Sequence, residues 1–166
     1  MKTELKAKFL QHLTQRKKDE GFTLIELLVV IIIIGILSAI ALPSFLNQAA
    51  KAKQSEAKQF VGAVNRSQQA YRIENSSFAE TYEKLVLGLP STTINYGYLV
   101  AGGTNTASVT ATAKDVTSLK SFAGGVTVLT SGASAAVACQ TTGVSGNPPT
   151  LSLTNEAKCT SGEDMK

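Results

Sequence analysis

The sequence predicts an α+β fold in which a long N-terminal helix, first membrane-spanning and then amphipathic, packs on a small antiparallel β-sheet. Three observations support this class. The chain carries no charged residue from position 27 to position 50. Apolar residues then recur at spacings of three and four up to about position 74, as on one face of a helix. Beyond position 94, short alternating segments are separated by glycines and small polar residues, which is typical of an antiparallel sheet.

The composition is unfavourable for catalysis. The 166 residues include one histidine, His12, which lies in the basic start of the chain. Ser-His-Asp and Cys-His centres, and histidine-rich metal clusters, all need histidine beside the other groups of the site. We therefore expect a protein that is not an enzyme and that uses neither a metal nor a cofactor.

The positive charge is concentrated at the start of the chain. Residues 1–21 contain six basic and three acidic side chains, which leaves a net charge near +1 for the rest. This near-neutral remainder argues against strong binding of nucleic-acid phosphates by one subunit. A candidate DNA-binding stripe on the helix is nevertheless formed by Lys51, Lys53, Lys58, Arg66 and Arg72.

The apolar segment is long enough to cross a bilayer. Between positions 27 and 42 the one polar side chain is Ser38, and residues 22–42 together reach the roughly 20 residues that a spanning helix requires. Because basic residues cluster before this segment, we expect the N-terminus to stay in the cytoplasm and the chain after about residue 43 to be exported.

Glu26 lies at the edge of this apolar segment and needs an explanation. An acidic side chain near the centre of a membrane helix costs about 2.5 to 3.5 kcal/mol on insertion scales, and less near an end. Two interpretations remain open from the residues alone. The carboxylate extends to the membrane interface, or it finds a positive partner in an assembled state.

The segment Gly21-Phe22-Thr23-Leu24-Ile25-Glu26-Leu27, with its basic leader and the apolar run after it, resembles the class III signal of type IV prepilins and related pseudopilins. The resemblance implies that a prepilin peptidase and methylase cuts after Gly21 and methylates the amine of Phe22. Residues 1–21 are then a leader that is removed. In the filament core, Glu26 would pair with the N-terminal ammonium of a neighbouring subunit.

The resemblance also implies a function. The mature chain would be a structural subunit of a type IV pilus, held in the inner membrane with its N-terminus in the cytoplasm and then polymerised into an extracellular filament. Its partners would be copies of itself, minor pilins, inner-membrane lipid before assembly, and the assembly platform with its ATPases. Such filaments serve adhesion, twitching motility and DNA uptake.

Three alternatives to a major pilin remain open. The first two are a pseudopilin of a type II secretion system and a minor pilin, because proteins of both kinds share the same N-terminal signal and long helix. The third alternative is a secreted soluble binding domain, because Ala39-Ile40-Ala41 resembles the cleavage site of an ordinary signal peptide.

Gly35 and Pro43 predict a break in the long helix, since proline lacks a backbone donor and glycine adds flexibility. In related filaments the helix unwinds between the matching positions. The helical pattern resumes over residues 43–74, where the predicted inner face comprises Ala57, Phe60, Val61, Val64, Gln68 and Tyr71.

Residues 75–166 are expected to hold the connection, the sheet and a disulfide-bounded C-terminal region. Asn75-Ser76-Ser77 should end the helix, and a short helix is expected near residues 81–87. Strands are predicted at residues 94–100, 107–113 and 125–130, with one sheet face exposed because residues 101–150 are rich in Ala, Gly, Ser and Thr.

Cys139 and Cys159 are the two cysteines of the chain, and both lie on the exported side. A disulfide is favoured in an oxidising compartment, with two free buried thiols as the alternative. The segment resembles the disulfide-bounded C-terminal loop of type IV pilins. Glu163 and Asp164, near the C-terminus, suit a calcium site less well than a solvated tail, because calcium needs several oxygen ligands arranged around it.

Overall fold

The computed structural model describes residues 21–165. The predicted leader, apart from Gly21, lies outside this range. The predicted class is confirmed, because one long helix is followed by an antiparallel sheet. The elements are α1 (Leu24–Asn75), a 3-10 turn (Glu83–Leu85), and seven strands: β1 (Tyr96–Gly102), β2 (Thr106–Ala113), β3 (Phe122–Val128), β4 (Ser134–Gln140), β5 (Leu151–Ser152), β6 (Lys158–Cys159) and β7 (Glu163–Asp164).

Helix α1 runs through Gly35 and Pro43 without interruption. The break predicted at these two residues is therefore not present in the single chain. Proline removes one hydrogen bond of the helical ladder, but the bonds on either side hold its backbone helical. Unwinding of this stretch in an assembled filament stays a prediction. The described residues divide into two compact units, one ending at Ser44 and the other beginning at Phe45.

The main sheet of the second unit has five antiparallel strands in the order β1-β2-β3-β4-β7. The three predicted strands match β1, β2 and β3 within a few residues. Strands β4 to β7 were not predicted. Strand β4 is made of Ser, Ala, Val, Cys and Gln and lacks the dense apolar alternation that marks a strand, and β5, β6 and β7 have two residues each.

The core lies between the inner face of α1 and the sheet. Five of the six residues predicted for that face are buried, and Tyr71 packs at its margin. The helix approaches the sheet closely at Gly124, where a Cβ atom would lie 2.5 Å from Val61 Cγ1. Beside it, Asn65 Nδ2 donates to the carbonyl of Val137 at 2.9 Å.

A second polar contact fixes the connection that follows α1. The Gln68 side chain is 1% exposed, and its amide forms two hydrogen bonds of 2.9 Å with the backbone of Ala79, one to the carbonyl and one from the N–H. Since a buried amide without partners would cost about 1 to 3 kcal/mol, this pairing fixes the register between the helix end and the connection.

The outer face of the sheet is half covered. Leu151 and Leu153 lie over Gly125 of β3, so the two-stranded β5–β6 sheet shields the β3–β4 side. On the β1 side, Leu99 is 70% exposed. The prediction of an exposed face therefore holds for β1, holds only in part for β2, whose outward side chains are half-buried, and is wrong for β3 and β4.

Glu163 and Asp164 are exposed, as the predicted solvated tail requires, but they are part of the sheet and not a loose tail. They form β7, which pairs with β4. The Glu163 carboxylate accepts hydrogen bonds from Lys120 Nζ at 3.0 Å and from Gln140 Nε2 at 2.8 Å. Strand pairing and these side-chain bonds together hold the last described residues at the edge of the sheet. No local pattern in the sequence indicates this pairing.

We expect Gly124→Ala to lower the free energy of unfolding by about 1 to 3 kcal/mol, because the added methyl group overpacks a helix–sheet contact. Denaturant unfolding of the detergent-solubilised chain measures this loss. Gly97→Ala is the matched control, since a Cβ at Gly97 of β1 would meet nothing within 4 Å. Equal stabilities for the two variants would contradict the close approach at Gly124.

Candidate functional site: the apolar half of the helix and its amino-terminal cap

Residues 22–42 present an apolar surface that the rest of the described chain leaves uncovered. Every large apolar side chain from Phe22 to Leu42 is between 44% and 82% exposed. Among the described residues, α1 is the one helix long and apolar enough to span a membrane. At about 25 cal/mol per Å² of apolar area removed from water, so much exposed surface requires a bilayer or other helices around it.

Thr23 and Glu26 form a reciprocal cap at the start of this helix. The Glu26 carboxylate accepts hydrogen bonds from the Thr23 backbone N–H at 2.8 Å and from the Thr23 hydroxyl at 2.7 Å. The Glu26 N–H donates in return to Thr23 Oγ1 at 3.3 Å. This is the capping-box arrangement, and it explains why the helix begins at Leu24 and not at Phe22.

The cap gives Glu26 a role within its own chain that the sequence interpretation overlooked. The signal was present, because Thr23-Leu24-Ile25-Glu26 has the spacing of a capping box. Both bonds from Thr23 reach the same oxygen, Oε2. Since a carboxylate offers two acceptor oxygens, Oε1 stays accessible to a positive group from outside the chain.

The residues predicted for processing lie just before the helix. Gly21, Phe22 and Thr23 are non-helical, and Phe22 is 82% exposed. The peptide bond between Gly21 and Phe22 is therefore outside the hydrogen-bonded ladder of α1. A Cβ at Gly35 would meet nothing within 4 Å, so no contact within the single chain requires glycine there.

A disulfide joins Cys139 of β4 to Cys159 of β6, with Cα atoms 5.9 Å apart. It links the main sheet to the β5–β6 cover of its outer face. Asp164 brings a carboxylate oxygen within 4.8 Å of both sulfurs. Because the sulfurs are bonded to each other and are not thiolates, this group of three offers a cation one carboxylate.

The five basic residues of the candidate DNA stripe do not share one face. On a helix of about 3.6 residues per turn, Lys51, Lys58, Arg66 and Arg72 fall within an arc of about 120°, whereas Lys53 lies on another side. The Arg72 guanidinium lies over the ring of Phe78, 6.0 Å from its centroid. Four of the five candidates thus share one side of the described helix, and one of these four, Arg72, contacts Phe78.

Two family models match the chain. Residues 16–42 match the prokaryotic N-terminal methylation motif, and residues 54–161 match the family described as type IV pilin-like G and H. The chain belongs to the type IV pilin-like family. The two matches coincide with the capped apolar half of α1 and with the α1–sheet unit, and they confirm the resemblance drawn from residues 21–27.

Curated relatives of this pilin-like chain include pilus and secretion proteins. It is 39% identical over 84 residues to the type IV major pilin protein PilA of Myxococcus xanthus, covering 51% of this chain and 38% of that protein. It is 35% identical over 85 residues to the type IV wide pilus major component PilA4 of Thermus thermophilus, covering 51% and 65%. It is also 35% identical over 71 residues to the type II secretion system core protein G of Pseudomonas aeruginosa, covering 43% and 50%. The matched part thus spans between about a third and two thirds of these relatives.

Replacing Cys139 and Cys159 together by alanine should lower the free energy of unfolding by about 3 kcal/mol, because the bridge closes a loop of about 20 residues. Guanidinium unfolding under non-reducing conditions measures this loss. Reductant should destabilise the wild type by a similar amount and leave the double variant unchanged. A wild type that resists full reduction without any loss of stability would contradict the prediction.

Proposed function

We propose that this chain is a structural subunit of a type IV pilus, which polymerises through the N-terminal half of α1 into an extracellular filament. The observation that carries the proposal is the uncovered apolar half of α1, which begins at a capped acidic residue inside a methylation motif. A membrane anchor alone would account for the apolar surface. The acidic cap and the motif for a modified amine favour assembly.

The proposed maturation follows from the same segment. The prepilin peptidase cuts after Gly21 and methylates Phe22, so the apolar helix stays on the mature chain and residues 1–21 are lost. Residues 22–42 form the membrane and filament-core half, residues 43–74 the amphipathic half, and residues 75–166 the connection, the sheet and the disulfide-bounded region. Before assembly, the subunit lies in the inner membrane with its N-terminus in the cytoplasm.

The proposed partners are other copies of this chain, minor pilins, the inner-membrane lipid, and the assembly platform with its ATPases. The role is mechanical and involves no catalysis and no cofactor. Support comes from the family match and from relatives whose names are those of pilus components.

A second candidate function is a pseudopilin of a type II secretion system. It is favoured by the family description, which names the G and H proteins, and by the relative from Pseudomonas aeruginosa. The two functions differ in where the polymer lies, because a pseudopilin polymer would stay within the envelope and a pilus extends outside the cell.

Intact mass and N-terminal sequencing of protein from sheared surface fibres and from membranes test the main proposal. We expect a chain that begins with methylated Phe22 and is abundant in the fibres. The same N-terminus confined to the envelope would favour the pseudopilin or a minor pilin. A soluble chain beginning at Leu42 would contradict both polymer functions and support a secreted domain.

We expect Glu26→Gln to reduce filament yield strongly while leaving membrane insertion intact. Glutamine can still complete a capping box, so this variant removes the charge and keeps the cap. Loss of one partner of a buried charge pair typically costs about 3 to 5 kcal/mol. Filament recovery by shearing, compared with subunit in the membrane fraction, measures the effect.

Thr23→Ala is the matched control for Glu26→Gln. It removes the hydroxyl part of the cap, keeps the carboxylate and leaves the backbone N–H of residue 23 in place, at a cost of about 1 kcal/mol to the helix start. We expect this variant to assemble far better than Glu26→Gln. The reverse order would show that Glu26 acts through its cap and not through a charge on a neighbouring subunit.

A further inference from the structure

A groove opens between α1 and the segment that precedes β1, within the second unit. Its volume is about 540 Å³. The ring of Phe60, stacked on Tyr98 with centroids 3.6 Å apart, lies at its base. Apolar atoms predominate along its walls, which are lined by Ala52, Ser55, Gln59, Ala63, Leu89 and Pro90.

One charged group, Glu56, lies in this groove. Its carboxylate accepts hydrogen bonds from Asn95 Nδ2 at 2.9 Å and from the Tyr98 hydroxyl at 3.3 Å. Partial burial raises the pKa of Glu56, but hydrogen bonds from Thr93, Asn95 and Tyr98 together outweigh burial and keep the pKa below its ordinary value. The carboxylate is thus ionised at neutral pH.

The negative charge of Glu56 is not neutralised by an ion pair, although the Lys114 ammonium lies close by, on the carbonyl of Thr93. The three groups that donate to it are neutral, and none of the ion pairs formed among residues 21–165 includes it. It is also the one acidic residue of α1 between positions 27 and 73, a stretch that carries five basic residues. A cation of one copy that meets Glu56 of the next would place opposite charges at the contact and favour parallel packing of α1.

Lys51 is the cation best placed to reach Glu56 from another copy of the chain. It is exposed, and it forms no ion pair or hydrogen bond within the described part of the chain. Five residues of helix put it about 140° round the axis from Glu56, so it cannot pair with the Glu56 of its own chain, although Ser55, about one turn after Lys51, lines the groove. Lys53, about one turn from Glu56, lies on the groove's own side of the helix, and Lys58 already has an interaction within the chain.

We propose that the groove beside α1 receives the Lys51 side chain of a second copy of this chain, with its ammonium on Glu56 and its methylene groups against the apolar walls. This inference rests on the proposed filament. A lysine stem suits an apolar groove that ends in a single carboxylate, because lysine buries its methylene groups and keeps its charge at the tip. Since Glu56 in the groove and Lys51 belong to different patches of the same chain, the contact is heterologous and repeats along an open polymer.

Zero-length carbodiimide coupling of assembled filaments tests the contact directly. The filaments are built from a mixture of ordinary and ¹⁵N-labelled subunits, so that a mixed-isotope peptide identifies coupling between copies. We expect a mixed-isotope link between Lys51 and Glu56. Lys51→Arg should abolish this link while filaments persist, because arginine keeps the charge and does not couple. Lys53→Gln is the control and should leave the link in place.

Charge reversal supplies a second test that does not depend on coupling chemistry. Lys51→Glu alone and Glu56→Lys alone should each reduce filament recovery about tenfold or more, because each places like charges at the contact. Subunits of the two variants, expressed together, should restore filaments, since the groove of each then meets the opposite charge of the other. Formation of the Cys139–Cys159 bridge in the membrane pool checks that each variant folds.

Wild-type filaments without a mixed-isotope link at Glu56, or with Glu56 linked to a different lysine, would overturn the inference and leave the proposed function intact. Failure of the two reversal variants to rescue each other, although both fold, would also overturn it. If the wild-type chain forms no polymer in the cell, this result would instead contradict the proposed function itself, without any comparison of variants.

Discussion

The rest of the structure depends on one constraint: no other residue between positions 21 and 165 covers the apolar half of α1. A helix that exposes its large apolar side chains from Phe22 to Leu42 is stable only inside lipid or among other helices. The same helix, continued past Ser44, has to bury one face against a sheet. One continuous element thus serves two environments, and its sequence changes from uniformly apolar to amphipathic at the point where the second unit begins.

Polar groups, more than apolar bulk, determine how the second unit packs. The core is small and contains many alanines. The position of the sheet along α1 is therefore set by three contacts: the hydrogen bond from Asn65 to Val137, the pairing of Gln68 with Ala79, and the close approach at Gly124. Buried amides with satisfied partners specify a single register, because a shift of one residue would leave donors and acceptors unpaired. The Glu56 cluster continues this arrangement toward the start of the unit.

Sequence reasoning predicted the parts of the fold that repeat locally. The inner face of α1 and the approximate positions of β1 to β3 follow from apolar periodicity, and the processing motif follows from residues 21–27. Strands β4 to β7 were missed because their pairing depends on partners distant in the chain, such as Gln140 with Glu163. The Thr23–Glu26 cap had a local signal that the charge-pair interpretation overlooked. The Glu56 groove has no local signal, because the residues that close it lie 33 to 42 positions after Glu56.

The position of the disulfide has a mechanical consequence for a filament under tension. Pulling force would enter each subunit through α1 and pass to the sheet by shear across the Asn65 and Gln68 contacts. The bridge between Cys139 and Cys159 joins the far side of the sheet to its β5–β6 cover and lies off that load path. The covalent bond would thus keep the outer surface closed against proteases and local opening, while the tensile strength of the fibre would come from non-covalent packing.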